Sequence, residues 1–263
     1  MTAQEVSDLK EKMQRLARAA EQTLDFDALM EIAKSAPSLS FAPPELPKPG
    51  VPVRIGVARD MAFCFFYEDS LALLRRLGAE LVGFSPLEDE ALPENLQGLY
   101  LPGGYPELYA EALSQNEAMR ESIRKAVTGG LPCIAECGGF MYLTEAIGDF
   151  PMAGALKGSC FDTGKLTRFG YVTLTAQKDN LLCRAGETIP AHEFHHWDAE
   201  HPGEDFRAEK LSGRSWPCTH ASRTLYAGFP HFHFYANPSF AVRFLDACRK
   251  ESCHAGTNKA HGD

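Results

Sequence analysis

The 263-residue chain has no CxxC pair, no GxxxxGK[ST] phosphate loop, no cluster of lysine and arginine, and no apolar run long enough to cross a bilayer. Each absence excludes something. Its eight cysteines are scattered, so neither a zinc site nor a disulfide framework is expected, and reduced thiols in the cytoplasm fit better. A net charge of −9 with dispersed cations leaves no footprint for nucleic acid. The charged N-terminus lacks a secretory pattern, and without a spanning segment neither export nor a membrane role is expected. No internal repeat is present. What remains is an ordinary globular composition, 44% hydrophobic and 23% charged, enough for one large domain or one domain with an appendage.

Four segments organise the chain. Val6, Leu9, Met13, Leu16 and Ala20 fall on one helical stripe, and a second helix is expected from Asp25 to Lys34, so residues 1–35 read as a helical appendage. The stripe fits either a hairpin folded back on the main domain or a face for a missing partner. Residues 36–52 carry Pro37, Pro43, Pro44, Pro47, Pro49 and Pro52, the composition of a stiff linker. Residues 53–251 then alternate VRIGVA, a helix closed by Gly78, ELVGFS, QGLYLPGG, a helix ending at Gly129–Gly130, and LPCIAE. This rhythm predicts an α/β fold with a largely parallel central sheet flanked by helices. Past Gly148 the pattern becomes irregular and β-rich, as in FGYVTLTA. A last helix opens at Asn237–Pro238 with Phe240, Phe244 and Leu245 inward. Residues 252–263 read as a polar, flexible tail.

Ligands of parallel sheets gather at the carboxyl ends of the strands. The Gly103–Gly104 turn and the turn at Cys137 in LPCIAECGGFMYL both fall there. A cysteine on a tight strand-to-helix turn needs small neighbours, and Gly138 and Gly139 supply them. The following helix, GGFMYLTEAIG, would direct its N-terminal dipole at the sulfur. The amide of Gly138, with one from Gly103–Gly104, could face a developing oxyanion. The same letters also fit a glycine pair opening a helix beside an inert buried cysteine. Cys133, within the strand, reads as core.

A thiolate needs a base, and histidine is the usual one. His231 and His233 share one face of the extended stretch FPHFHFYANP, and either could reach a site. Metal binding is not expected there or at His192, Glu193, His195 and His196, because no third ligand has suitable spacing.

VRIGVARDMAFCFFYEDSLALLRRLGAELVGFSPLEDEALPENLQGLYLPGGYPELYAEAL, GLPCIAECGGFMYL, HEFHHW and FPHFHFYANP occur in that order. Together they resemble the glutaminase half of the cobyrinic acid a,c-diamide synthase family, within the class I glutamine amidotransferases. EQTLDFDALMEIAKSAPSL resembles the end of that family's ATP-binding half. The resemblance implies that Cys137 attacks the side-chain amide of glutamine to form a thioester, with His231 as base. It implies an oxyanion loop at Gly103, Gly104 and Gly138, and a glutamine pocket lined by Tyr105, Glu107, His192, Glu193, Phe194 and His195. ARDMAFCFFYEDSL would turn toward the acceptor. Many class I members place an orienting glutamate two residues beyond the histidine; here that residue is His233, so a Cys–His dyad is implied. Pro230, directly before His231, restrains the approach of the base.

Without a phosphate loop, no cofactor is expected in this chain; ATP and Mg2+ would belong to the missing synthetase half. The expected partners are glutamine, that ATP-binding domain or subunit, and a corrin-type tetrapyrrole acceptor. The competing readings are a non-catalytic remnant that binds a tetrapyrrole or a partner protein, and an enzyme of the same superfamily such as a peptidase.

Overall fold

β-branched and aliphatic runs bounded by glycine and proline form the strands, and amphipathic stretches form the helices between them. A computed structural model describes the backbone of residues 6–42 and 45–257 and the side chains as far as Lys250; the tail residues 258–263 lie outside the described residues. Two compact units meet at Glu45–Leu46. The first contains helices α1 (Leu9–Thr23) and α2 (Phe26–Ser35). Asp25 caps α2 by accepting a hydrogen bond from the Ala28 amide at 2.9 Å, and neither helix contains a buried residue.

Among the described residues the second unit holds all the strands. In chain order they are β1 (Val53–Ala58), β2 (Ala79–Phe84), β3 (Gly98–Leu101), β4 (Cys133–Glu136), β5 (Ala146–Ile147), β6 (Phe150–Pro151), β7 (Ser159–Asp162), β8 (Arg168–Ala176), β9 (Thr188–His195), β10 (Trp197–Ala199), β11 (Phe206–Glu209), β12 (Ser215–Cys218), β13 (His220–Ala221), β14 (Leu225–Gly228) and β15 (His231–Phe232). The main sheet has the order β13-β14-β4-β3-β1-β2 and is parallel except for the edge strand β13. An antiparallel five-stranded sheet, β12-β11-β8-β9-β15, and a small four-stranded one, β10-β7-β5-β6, complete the unit.

Helices α3 (Glu68–Arg76), α4 (Ala110–Gln115), α5 (Glu117–Thr128), α6 (Gly138–Leu143) and α7 (Pro238–Thr257) accompany these sheets. Gly78, at φ +104, closes α3, a conformation that costs a side-chain-bearing residue dearly. Strand alternation divides the interior into two apolar clusters. Val53, Ile55, Tyr100, Ile134 and Tyr226 belong to one, while Leu99, Leu101, Cys133 and Ala135 belong to the other. Phe240, Phe244 and Leu245 of α7 are fully buried in the first, each contributing about 1.5–3 kcal/mol of transfer free energy.

One expectation is corrected. The helix expected over GGFMYLTEAIG ends at Leu143, because Thr144 turns extended (ψ 177) and its hydroxyl donates to the Met141 carbonyl at 2.7 Å; Ala146 and Ile147 then pair as strand. The last helix runs to Thr257.

Candidate active site

Cys137 lies immediately beyond β4, at the carboxyl edge of the main sheet. Its backbone sits at φ 48 and ψ −102, a region that costs a non-glycine residue about 1–3 kcal/mol and persists only where packing enforces it. Here packing does. The Cys137 amide donates to Gly228 O at 2.7 Å and its carbonyl accepts from Met141 N at 2.9 Å. A Cβ on Gly139 would lie 2.1 Å from Leu101 O, and one on Gly138 would lie 2.8 Å from Pro106 Cδ. Glycine is therefore sterically required at both positions, and Cys137 itself is only 8% exposed. Cys133, by contrast, is fully buried and its thiol pKa is pushed far up by burial.

The chain delivers a histidine by changing sheets. After β14 it passes through Phe229 and Pro230 and enters β15, where His231 pairs with His192 of β9. The Tyr226 hydroxyl donates to Pro230 O at 3.3 Å, which anchors the residue before the base. The His231 imidazole is 5% exposed, lies edge-on to Phe65 with ring centroids 4.8 Å apart, and is close enough to the Cys137 side chain for the two to influence each other's charge. Burial disfavours its charge, but the contacts with Cys137 and then Glu136 outweigh burial and push its pKa up to about 10. Such a pair suits a thiolate–imidazolium arrangement.

The loop after β3 fits beneath this pair. A Cβ on Gly103 would meet His231 Cε1 at 2.5 Å, and one on Gly104 would meet Ala62 O at 2.0 Å. The Gly104 amide nitrogen lies 3.0 Å from the position a Gly138 Cβ would occupy, so the amides of the two turns are neighbours. Tyr105 is tied by its amide to Ala62 O at 2.9 Å. Glu107 stands on the short 3-10 turn Pro106–Tyr109. Burial and, less strongly, nearby Asp162 raise its carboxyl pKa against an opposing backbone hydrogen bond.

The strand β9 splits the remaining candidates by its period of two. His192 lies beside His231, with Tyr171 and Phe169 at ring distances of 5.3 and 6.0 Å, and Phe194 packs on Phe169 at 5.6 Å. Glu193 and His195 turn inward and are 2% and 7% exposed. Glu193 accepts from the Trp216 indole at 3.3 Å, and His195 stacks on Phe229 with centroids 4.0 Å apart. His233 is separate again: it caps the turn Phe234–Ala236 by accepting from Tyr235 N at 3.3 Å, and its ring lies 5.0 Å from Tyr67.

Sequence reasoning passed over Glu136, a fully buried carboxylate whose Oε2 is 3.5 Å from His231 Nδ1. The signal was available: one acidic residue ends an otherwise apolar four-residue strand directly before the cysteine. Among the described residues no group of three or more His, Cys, Asp or Glu side chains could hold a metal ion, and no helix is long and apolar enough to cross a membrane.

Residues 54–238 match the CobB/CobQ-like glutamine amidotransferase domain. The chain is 38% identical over 254 residues to cobyrinate a,c-diamide synthase of Caldanaerobacter subterraneus subsp. tengcongensis, covering 93% of this chain and 56% of that protein. The synthase of Priestia megaterium is 35% identical, with 93% and 55% covered. The chain thus spans about half the length of the curated relatives it matches. Among solved structures, PurLQS from Thermotoga maritima superposes with a TM-score of 0.55 at 18% identity, over 76% of this chain and 99% of that one. A further structure, described as a glutamine amidotransferase, gives 0.53 at 20% identity, over 74% and 98%. At these identities the two structures speak for the fold alone. The relatives share more than half of their length with a sequence whose strand ends carry the cysteine, the histidine and the glycine turns described above, and this chain belongs to the CobB/CobQ-like glutamine amidotransferase domain family.

Proposed function

We propose that this chain hydrolyses glutamine through a thioester on Cys137. The ammonia would serve an ATP-dependent synthetase half that amidates the a and c carboxylates of cobyrinic acid or a related tetrapyrrole. The observation that carries the reading is Cys137 on a strained elbow, φ 48, beside a buried histidine whose pKa the cysteine raises.

The thiol proton passes to His231, and the thiolate attacks the side-chain amide carbon of glutamine. The amides of Gly138 and the Gly103–Gly104 turn stabilise the tetrahedral oxyanion. His231 returns its proton to the leaving nitrogen, which departs as ammonia and leaves the glutamyl thioester. Water, deprotonated by His231, then attacks the thioester; glutamate leaves and the thiol is restored. Glu107, with Asp162 close to it, supplies negative charge suited to the α-ammonium of glutamine, and His192 and Tyr105 border the same loops. ATP and Mg2+, on the synthetase half, would activate the acceptor carboxylate; no residue of this chain is assigned to them. The cytoplasm, where thiols stay reduced, is the fitting compartment.

The test is labelling with 6-diazo-5-oxo-L-norleucine, followed by peptide mass mapping. Modification at Cys137 that glutamine prevents is the expected result. A folded chain labelled elsewhere, or insensitive to glutamine, would remove Cys137 from the role and favour a binding remnant of the same scaffold.

A further inference from the structure

The family pattern leaves the base without an orienting carboxylate at position 233, yet the buried side of His231 is not empty. Glu136 is the last residue of β4 and is 1% exposed. By the alternation of that strand it points away from the Cys137 turn, into the cluster that holds Tyr100, Tyr226 and Phe232. The Tyr100 hydroxyl donates to its Oε2 at 3.2 Å, and the Phe232 amide approaches its Oε1 at 3.5 Å. His231 Nδ1 lies 3.5 Å from Oε2 and has no other polar partner. That spacing is loose for a hydrogen bond, as contacts of catalytic groups often are before substrate binds.

We propose that Glu136 is the positioning residue for His231: it holds the proton on Nδ1, leaves Nε2 to face the Cys137 sulfur, and stabilises the imidazolium once the thiol proton has moved to Nε2. The proposal rests on the reading of Cys137 and His231 given above. An ion pair built this way needs the nucleophile and the orienting carboxylate as consecutive residues on opposite sides of one strand end. The base then enters from the strand that crosses beside it. This arrangement removes the need for a carboxylate beyond the histidine, where His233 instead caps a turn. Burying a carboxylate alone costs several kcal/mol, and the tyrosine and the backbone amide offset that cost only while leaving Oε2 available to the imidazole.

Two other features agree. The nearness of Cys137 and Glu136 holds the His231 pKa up to about 10 although burial opposes it. Glu136 also raises the pKa of the tyrosines around it, after burial itself, at Tyr67, Tyr100 and Tyr226. The groups that bear on His231 by charge are therefore Cys137 and Glu136 from β4 and its turn, and His192 from β9. Tyr67, Tyr100 and Tyr226 act through Glu136.

The test uses Glu136→Gln in the full chain and iodoacetamide, which alkylates a thiolate whether or not glutamine is turned over. Alkylation is mapped to Cys137 and followed from pH 5 to pH 10. In the unaltered protein the rate is expected to stay nearly level through neutrality, as for a preformed ion pair. In Glu136→Gln it is expected to be about 10- to 100-fold slower at pH 7 and to climb with pH as the thiol ionises unaided. A variant with the unaltered profile, whatever its unfolding midpoint, would reduce Glu136 to a structural role. Should Glu136→Gln not fold, nitrogen-15 NMR of the unaltered chain above pH 10, where the ring is neutral and its tautomer is resolved, decides. His231 protonated on Nδ1 supports the proposal, and a bare Nδ1 overturns it. Glutamine hydrolysis is scored separately: its absence alongside a shifted alkylation profile retires the glutaminase reading and keeps this one, and its presence with an unshifted profile does the reverse.

Discussion

Gly103 is the position where one methyl group should separate chemistry from stability. A Cβ there would lie 2.5 Å from His231 Cε1 and 3.4 Å from both ring nitrogens. Ordinary contact begins near 3.4 Å, so in Gly103→Ala the imidazole must yield by roughly 1 Å, a displacement that can cost on the order of 100-fold in rate. The ring is already hemmed in by Phe65, with centroids 4.8 Å apart, and by Glu136, 3.5 Å from its Nδ1, so the shift disturbs its contact with Cys137. The fold should lose little, because the clash is with one side chain and the Gly103 backbone is not in the left-handed region. The assay is the rate of Cys137 modification by the diazo-oxo-norleucine probe beside the thermal midpoint, with Gly83→Ala as control, since a Cβ on Gly83 meets nothing within 4 Å. Modification of Gly103→Ala at the unaltered rate would refute the placement of His231 over this loop.

Three further outcomes are expected. His231→Ala should slow glutamine hydrolysis far more than His233→Ala, whose loss is the cap on Tyr235 N, worth about 0.5–1.5 kcal/mol of stability; the opposite ranking would move the base to His233. Because the folded-state pKa of His231 is raised from 6.5 to about 10, its proton stabilises the fold fully below pH 6.5 and that contribution is lost as pH rises through about 10. Unfolding midpoints of the unaltered chain and His231→Gln should therefore draw together between those limits, and a constant gap would contradict the pair. Gly139→Ala puts a Cβ 2.1 Å from the backbone oxygen of Leu101 and should cost at least about 1–3 kcal/mol by denaturant unfolding; a neutral result would mean that the elbow can relax.

Four of the five parallel strands, β1 to β4, were legible because each is a short apolar run bounded by glycine or proline, whereas β14 was not; the helix stops at Gly78 and Gly129–Gly130 needed only local rules. The elbow was legible for the same reason: Gly138 and Gly139 follow the cysteine directly, and their need for space is local. The helix after Cys137 was read too long because Thr144 can either continue a helix or close it with its own hydroxyl, and pairing of Ala146 with Ser159 decides the matter. Along HEFH the alternation of β9 buries Glu193 and His195 on one face and leaves His192 beside His231.

By itself the sequence determined the α/β alternation, the position of the thiol on a glycine-flanked turn, and the likeness to glutamine amidotransferases, since all three are written in neighbouring residues. The likeness pointed to His231, but only the tertiary structure decided which carboxylate meets that histidine. His231 and Glu136 are 95 positions apart in the chain, and their approach to 3.5 Å depends on β14 pairing with β4 and on the crossing from β14 into β15. That geometry is set by long-range strand register, and no local pattern encodes it.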